Sequence, residues 1–272
     1  MDFKKEDSLR LLLIAGFAVF AWEIIFSNYN NAAGLAVLDT GLESYYSFDS
    51  GDASDSIGNR HGIINSAVSS QGKIGQGMQF DGASNINLGN SNFGITNAFS
   101  AVFWVNFDTT AYSPGTSIIE NGYMSRPFSI DVSANKLYFD VATISVTTRI
   151  YSSSTISTGE WVHIAVTYGD GYQRIYINGA RAASTQNSGD IRIEGSSMYV
   201  GGMPDNFMSM LNGKIDELRI YSRALTEEEV ESLYHIAEPA YCGDGACDAG
   251  ESCTDCEEDC GACAPSCGDG SC

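Results

Sequence analysis

Between about Gly41 and Tyr221 apolar residues recur at every second position, in short runs rich in Val, Ile, Tyr and Phe and punctuated by Gly, Asn, Asp and Ser. A period of two predicts antiparallel strands with one buried face. Three runs show it best: Phe99–Phe107 (FSAVFWVNF), Trp161–Tyr168 (WVHIAVTY) and Tyr172–Asn178 (YQRIYIN). Gly169-Asp170-Gly171 joins the last two as a hairpin, and Asn178-Gly179 predicts a two-residue turn just beyond. With no helical segments between the strands, the pattern predicts an all-β, two-sheet antiparallel sandwich and not a parallel α/β sheet.

One helix closes this region. Thr226 with Glu229 has the spacing of a capping box, and Leu225 and Val230 occupy the positions of a hydrophobic staple. Val230, Leu233, Tyr234 and Ala237 then share a helical face, which must pack on the sandwich, and Pro239 ends the helix.

Both ends of the chain differ from its centre. Leu11–Trp22 is an uninterrupted apolar run, broken by Glu23 and resumed at Ile24–Phe26. This is shorter than the ~20 residues of a full membrane span, so residues 1–36 are expected to be a signal peptide or a signal anchor. Lys4, Lys5 and Arg10 precede the run and no further Lys or Arg occurs until Arg60, a bias that exports the remainder of the chain. At the other end, all eight cysteines lie between Cys242 and Cys272. CGDGAC at Cys242–Cys247 recurs as CGDGSC at Cys267–Cys272, a period of 25. Residues 241–272 therefore form a separate small module whose second copy is incomplete, leaving open a longer parent chain. A module too short for a core needs staples, and disulfides persist in oxidising compartments. Cys242, Cys247, Cys253, Cys256, Cys260 and Cys263 are expected to be disulfide-bonded. Zinc is disfavoured, because the two C-x-x-C pairs stand too close together and among acidic residues.

Charge narrows the partners. With 34 acidic and 14 basic residues the formal net charge is −20, which repels a phosphate backbone, so no nucleic acid is expected. The same surplus of carboxylates suits a hard cation such as calcium. No strand carries the paired carboxylates of a glycoside hydrolase. Asp216 and Glu217 are adjacent, which on a regular strand points them to opposite faces. No G-x-S-x-G or H-E-x-x-H occurs, and His61, His163 and His235 sit in no nucleophile motif. No enzyme is expected.

Taken in order, GLESYYSFD near Gly41, DSIGNRHG (Asp55–Gly62), GKIGQGMQFDG (Gly72–Gly82), FSAVFWVNF, TGEWVHIAVTY, IYINGARAAS and GKIDELRIYSRALTEEEVESLY (Gly213–Tyr234) resemble the laminin-G-like, concanavalin A-like domains of secreted and surface proteins. The resemblance spans about residues 38–236. It implies a jelly-roll sandwich that serves as a carbohydrate-binding or adhesive module, often stabilised by calcium. The tail is similar to the CGDGxC cysteine-rich repeat of extracellular microbial proteins, which implies no activity.

The richest oxygen cluster is the loop FDSGDASDSIGNRHG, with Asp49, Asp52, Asp55 and Asn59. On the resemblance, a structural calcium ion would be held by Asp55, Asn59, His61 (through its carbonyl) and Asp216. Without an ion, Asp52 and Asp55 would form Asx turns and Asp216 would pair with Arg219 or Arg223. Sugar stacking would need exposed aromatics, for which Tyr112, Tyr123, Tyr172 and Tyr199 are available. The expected partner is a glycan or a surface protein, at an extracellular or cell-surface location. The alternatives are a structural or protein-interaction component of the cell envelope and an accessory module of a larger protein.

Overall fold

The computed structural model describes residues 38–90, 92–110, 115–122, 126–192, 197–204 and 209–236. The amino-terminal apolar run, all eight cysteines, Tyr112, Tyr123, Ala237 and Pro239 lie outside the described residues. The strands, in chain order, are β1 (Leu42–Tyr46), β2 (Ile63–Asn65), β3 (Val68–Gln71), β4 (Gln76–Asp81), β5 (Asn85–Asn87), β6 (Phe99–Phe107), β7 (Thr116–Asn121) and β8 (Phe128–Ser133). Next come β9 (Lys136–Ala142), β10 (Thr147–Tyr151), β11 (Trp161–Gly169), β12 (Tyr172–Ile177), β13 (Ala180–Gln186), β14 (Met198–Val200), β15 (Ser209–Met210) and β16 (Asn212–Tyr221), then helix α1 (Glu227–Ile236).

These strands make two sheets, as a jelly-roll sandwich requires. The first runs β13-β12-β11-β6-β16-β4-β3, with β1 also beside β16; the second runs β10-β9-β8-β7-β14-β5-β2, with β15 beside β7. Pairing is antiparallel except for the short β15, which is parallel to β7. The core lies between the sheets. Phe99, Phe103, Val105 and Phe107 of β6 and Ile164, Val166 and Tyr168 of β11 face Phe128, Ile130 and Val132 of β8 and Leu137, Phe139 and Val141 of β9. Phe99 joins the layers most directly, its ring 4.4 Å from Phe128 and 5.7 Å from Phe139.

The predicted strands and turns are in place, with one difference. β6 and β11 are buried along both faces and not along one only. Their outward residues are covered because α1 lies against this sheet: Tyr234 stacks on Trp104 of β6 at 5.6 Å and meets His163 of β11 at 5.6 Å. The Asn178-Gly179 turn takes the positive φ values of 50° and 75° that its type requires. The amide of His163 donates to the Asn178 side chain at 2.9 Å. A Cβ on Gly179 would press on the Tyr234 ring at 3.2 Å, so glycine serves both the turn and the helix contact.

The helix begins as its sequence demands. The Glu229 amide donates to Thr226 Oγ1 at 3.3 Å, and the Thr226 amide donates to Glu229 Oε2 at 2.8 Å. Glu229 also takes both arms of Arg223, each at 2.7 Å, which ties the helix start to the end of β16. Leu225 and Val230 are buried as the staple pair.

Truncating Phe99 to alanine opens a void at the contact between the sheets and is expected to cost about 3–5 kcal/mol. Urea denaturation should show that loss, whereas Tyr172→Ala at an exposed strand end should change stability far less.

Candidate functional site

The outward face of the first sheet is closed by structural contacts. Beyond the Trp104–His163–Tyr234 cluster, Lys73 Nζ lies 4.3 Å above the Trp104 ring and the Arg219 guanidinium 4.2 Å above Tyr45. Tyr45 donates its hydroxyl to Glu217 at 2.8 Å, and Glu217 pairs with Arg219 at 2.7 Å. Burial, with the Arg219 and Lys73 charges adding to it, pushes His163 down to about 3, so its ring is neutral. Tyr172 also lies on this sheet, with Arg174 stacked 4.6 Å from its ring.

The second sheet is different. Its inward residues alternate with outward ones, and the register aligns the outward ones into a row that crosses seven strands: Ile63, Asn87, Tyr199, Glu120, Ser129, Asp140 and Arg149. At the usual strand spacing this row is about 29 Å long. Beside it runs a shorter row of Ser117, Asp131, Tyr138 and Tyr151. Burial deepens toward the middle: Glu120, Ser129 and Asp131 are fully covered, while the Arg149 and Tyr151 side chains are 46% and 51% exposed.

Charge on this face is arranged in pairs. Arg126 Nε meets Glu120 at 2.9 Å, and Arg149 grips Asp140 through two contacts of 2.6 and 2.5 Å. The Arg149 guanidinium also lies 4.4 Å from the centre of the Tyr138 ring, which in turn leans on Tyr151 at 5.5 Å. Asp131 makes no ion pair, although the Arg126 charge and Ser117 partly offset its burial. Its Oδ2 accepts from Ser129 at 2.6 Å, while its Oδ1 is buried with no hydrogen-bond partner. Burial, reinforced by the charge of Glu120, pushes its carboxyl up to about 7.

The proposed calcium residues lie elsewhere. Asp55 Oδ1 accepts the amides of Tyr45 and Ile57, each at 3.1 Å, and its Oδ2 accepts Ser44 Oγ at 3.0 Å and the Arg60 amide at 3.2 Å. Burial alone would raise the Asp55 carboxyl, but these donors hold it below the usual range. His61 accepts the Asp55 amide at its Nδ1 at 3.1 Å, and both His61 and Asn59 stand exposed on the same loop. Asp216 serves another loop: its Oδ2 accepts the amides of Lys73 and Ile74 at 2.9 and 3.0 Å, and its Oδ1 accepts the Glu217 amide. Calcium needs lone pairs turned toward it, and the carboxylates of Asp55 and Asp216 are turned toward N–H donors. Among the described residues no three His, Cys, Asp or Glu side chains converge to hold a metal. The set Asp55, Asn59, His61 and Asp216 does not fit a shared ion as placed.

Two local expectations also change. Asp52 forms its Asx turn with Ser54, but Arg219 and Arg223 go to Glu217 and Glu229 and not to Asp216. A bulge between Asp216 and Arg219, with Glu217 at φ 55°, breaks the alternation expected of that pair. Both carboxylates are buried, and burial together with the Glu217 charge pushes Asp216 up to about 7.

The sequence model of the concanavalin A-like lectin/glucanases superfamily matches residues 80–231, which includes most strands of both sheets. The chain belongs to this superfamily. Among solved structures this lectin/glucanase-type chain is similar to domain 4 of AbnA, a GH43 extracellular arabinanase from Geobacillus stearothermophilus, determined in complex with arabinotriose. The identity is 28%, the match covers 71% of this chain and 98% of that one, and the TM-score is 0.59. It also shares its fold with the binding domain of Paraclostridial Mosquitocidal Protein 1 (19% identity, 72% and 52% of the two chains, TM-score 0.62). The same holds for the binding domain of botulinum neurotoxin serotype G (20%, 72% and 51%, 0.58). The chain thus spans about half the length of those two toxin domains. No curated protein matches the sequence.

Of the singled-out aromatics that lie among the described residues, Tyr199 falls on the second-sheet face and Tyr172 on the first sheet. Sequence reasoning missed Glu120, Asp131, Tyr138, Asp140, Arg149 and Tyr151. The signal was there in FSIDVS, KLYFDVA and TTRIY, where charged and aromatic residues alternate with Phe, Ile and Val on three consecutive strands.

In this lectin/glucanase-type domain Asp216 retains a proton in the folded state between pH ~4 and ~7 that the unfolded chain has released, so its contribution to stability falls as pH rises through that window. The melting temperature of Asp216→Asn relative to wild type is therefore expected to move in the variant's favour from pH 5 to pH 8; a gap independent of pH would contradict this. Stripping calcium with a chelator is expected to leave the midpoint unchanged, while Asp55→Ala, which orphans four donors, should lower it with or without the ion.

Proposed function

We propose that this domain is a non-catalytic carbohydrate-binding module acting outside the cell, and that glycan lies along the outward face of the second sheet. The observation that carries the reading is the transverse row itself. Asn87 and the Asp140–Arg149 pair offer directional polar contacts, and Tyr199 and Tyr151 bring aromatic surface to the same face, which together are what a chain of hydroxyl-bearing rings requires. The first sheet offers no comparable face, since helix α1 and the Trp104 cluster occupy it. Similarity to an arabinotriose-bound domain of an extracellular arabinanase supports both the ligand class and the location. The binding-only reading is supported by the carboxylates of the row: Glu120 and Asp140 are held in ion pairs with Arg126 and Arg149. We further infer that the cysteine-rich segment is cross-linked by disulfides.

Glycan-array screening of the full chain, followed by calorimetry with the oligosaccharides it retains, including arabinan fragments, tests this reading. Tyr151→Ala and Tyr199→Ala are each expected to weaken binding about tenfold, the scale of one lost aromatic contact of ~1.4 kcal/mol. Tyr172→Ala on the other sheet should have no effect. Saturable binding to protein partners with none to glycans would instead establish a protein-interaction role in the cell envelope.

A further inference from the structure

We propose that His163 makes helix α1 an acid-sensitive cover: while its imidazole is neutral the last turn of the helix closes over the first sheet, and protonation of the imidazole drives that turn off and uncovers Trp104. The inference is independent of which ligand the second sheet takes.

The imidazole is shut away from water and from acceptors. His163 is buried, its ring centre lies 5.1 Å from that of Trp104 and 5.6 Å from that of Tyr234, and its Nδ1 has no hydrogen-bond partner. An imidazolium donates from both ring nitrogens, and at Nδ1 this enclosure offers nothing to receive the bond. Charge makes the place worse for a cation. Lys73 stands 4.3 Å above the Trp104 ring, and the Arg219 guanidinium acts on the imidazole from β16. The carboxylates on that strand are already engaged. Glu217 pairs with Arg219 at 2.7 Å and takes the Tyr45 hydroxyl, while Asp216, in register with Trp104, turns its two oxygens to the amides of Lys73, Ile74 and Glu217. Burial and the Glu217 charge also push the Asp216 carboxyl up to about 7, so it carries no charge at pH 5 that could balance an imidazolium. On the helix, Tyr234 and His235 face the cluster, and a positive charge on His235 at the helix end favours the helix.

The helix is held differently at its two ends. Its first turn is fastened by Glu229 to Arg223 and Thr226, and by Glu227 to Arg181 at 3.3 Å. Its last turn meets the sheet through the Tyr234 ring, set against Trp104, His163 and Gly179, and Ile236 just beyond is 45% exposed. Lifting that turn wets the imidazole without unfastening the start of the helix. Once wet, His163 titrates near its ordinary 6.5, whereas in the closed form burial, with the Arg219 and Lys73 charges adding to it, keeps it neutral down to about 3. Because closure lowers the value, the closed form is favoured above pH 6.5 and loses ground as the pH falls. From pH 7.5 to pH 5 the ratio of open to closed rises about thirtyfold. The carboxylates of the helix do not drive this change. Against its burial, Glu229 is held below its ordinary range by Arg223 and Thr226, and Glu228 by its own amide and Thr226, so both stay ionised at pH 5.

Hydrogen exchange of the full chain, read by mass spectrometry at pH 7.5 and pH 5 and corrected for the intrinsic effect of pH on exchange, tests the inference. Protection of the amides at residues 230–236 should fall about thirtyfold on acidification, while amides of β8 and β9 keep theirs. His163→Phe leaves a ring in the cluster that takes no proton, and it should make helix protection the same at both pH values. His163→Gln, which is smaller and equally unable to charge, should do likewise and stands in where the phenylalanine does not fold. Tyr234→Ala should leave the last turn unprotected at pH 7.5 already. Wild-type protection that does not change between the two pH values overturns the inference, and so does a fall of equal size in the His163 variants, which would place the acid response in another group.

Discussion

Everything on this molecule's surfaces depends on how its two sheets lock together. Tyr168 of the first sheet and Phe128 and Phe139 of the second bring their rings within 4.4 to 6.4 Å of Phe99 at the centre of the sandwich. Close packing of large rings admits one register, because shifting β8 or β9 by a single residue would replace Phe128 by Ser129 and Phe139 by Asp140. Once Phe128, Ile130 and Val132 are committed inward, Ser129 and Asp131 have nowhere to go but outward. Leu137, Phe139 and Val141 do the same for Tyr138 and Asp140. The polar rows are thus a by-product of the core, and their straightness is inherited from it.

The two faces that the core leaves outside have been used in opposite ways. Helix α1 shuts one of them, with Tyr234 over Trp104 and His163, and leaves a neutral imidazole with an unpartnered nitrogen. The other keeps titratable groups in contact across neighbouring strands. Carboxylates have a structural role at the margins as well: Asp55 and Asp216 gather the backbone amides of two glycine-bearing loops, and a Cβ on Gly58 or Gly72 would collide with the carboxylate it faces. Those loops are shaped around an internal carboxyl group that accepts their amides. In this chain, aspartates supply the negative charge that would hold a cation in a different arrangement of the same residues.

Much of this was legible in the sequence. The limits of β6, the hairpin after Gly169, the Asn178-Gly179 turn and the capping of α1 each reflect local chemistry, since period-two alternation and paired turn residues act within a few positions. The hidden part depends on pairing between strands far apart in the chain. Nothing local to KLYFDVA states that Asp140 will stand beside Arg149 on one side and Ser129 on the other. A bulge was likewise invisible at Asp216-Glu217, where two adjacent acids read as facing apart. The oxygen-rich loop around Asp55 was incompletely legible for a related reason: composition counts oxygens but does not tell which way the neighbouring amides point.

The first strand of the sandwich, β1, lies beside the last, β16, in one sheet, while the polar rows belong to the other. A pull applied through the two ends of the domain is received by those adjacent strands of the first sheet. The opposite sheet is mechanically idle under such a load. A ligand held along it would feel no distortion of its contacts until the strands that carry the tension had begun to part.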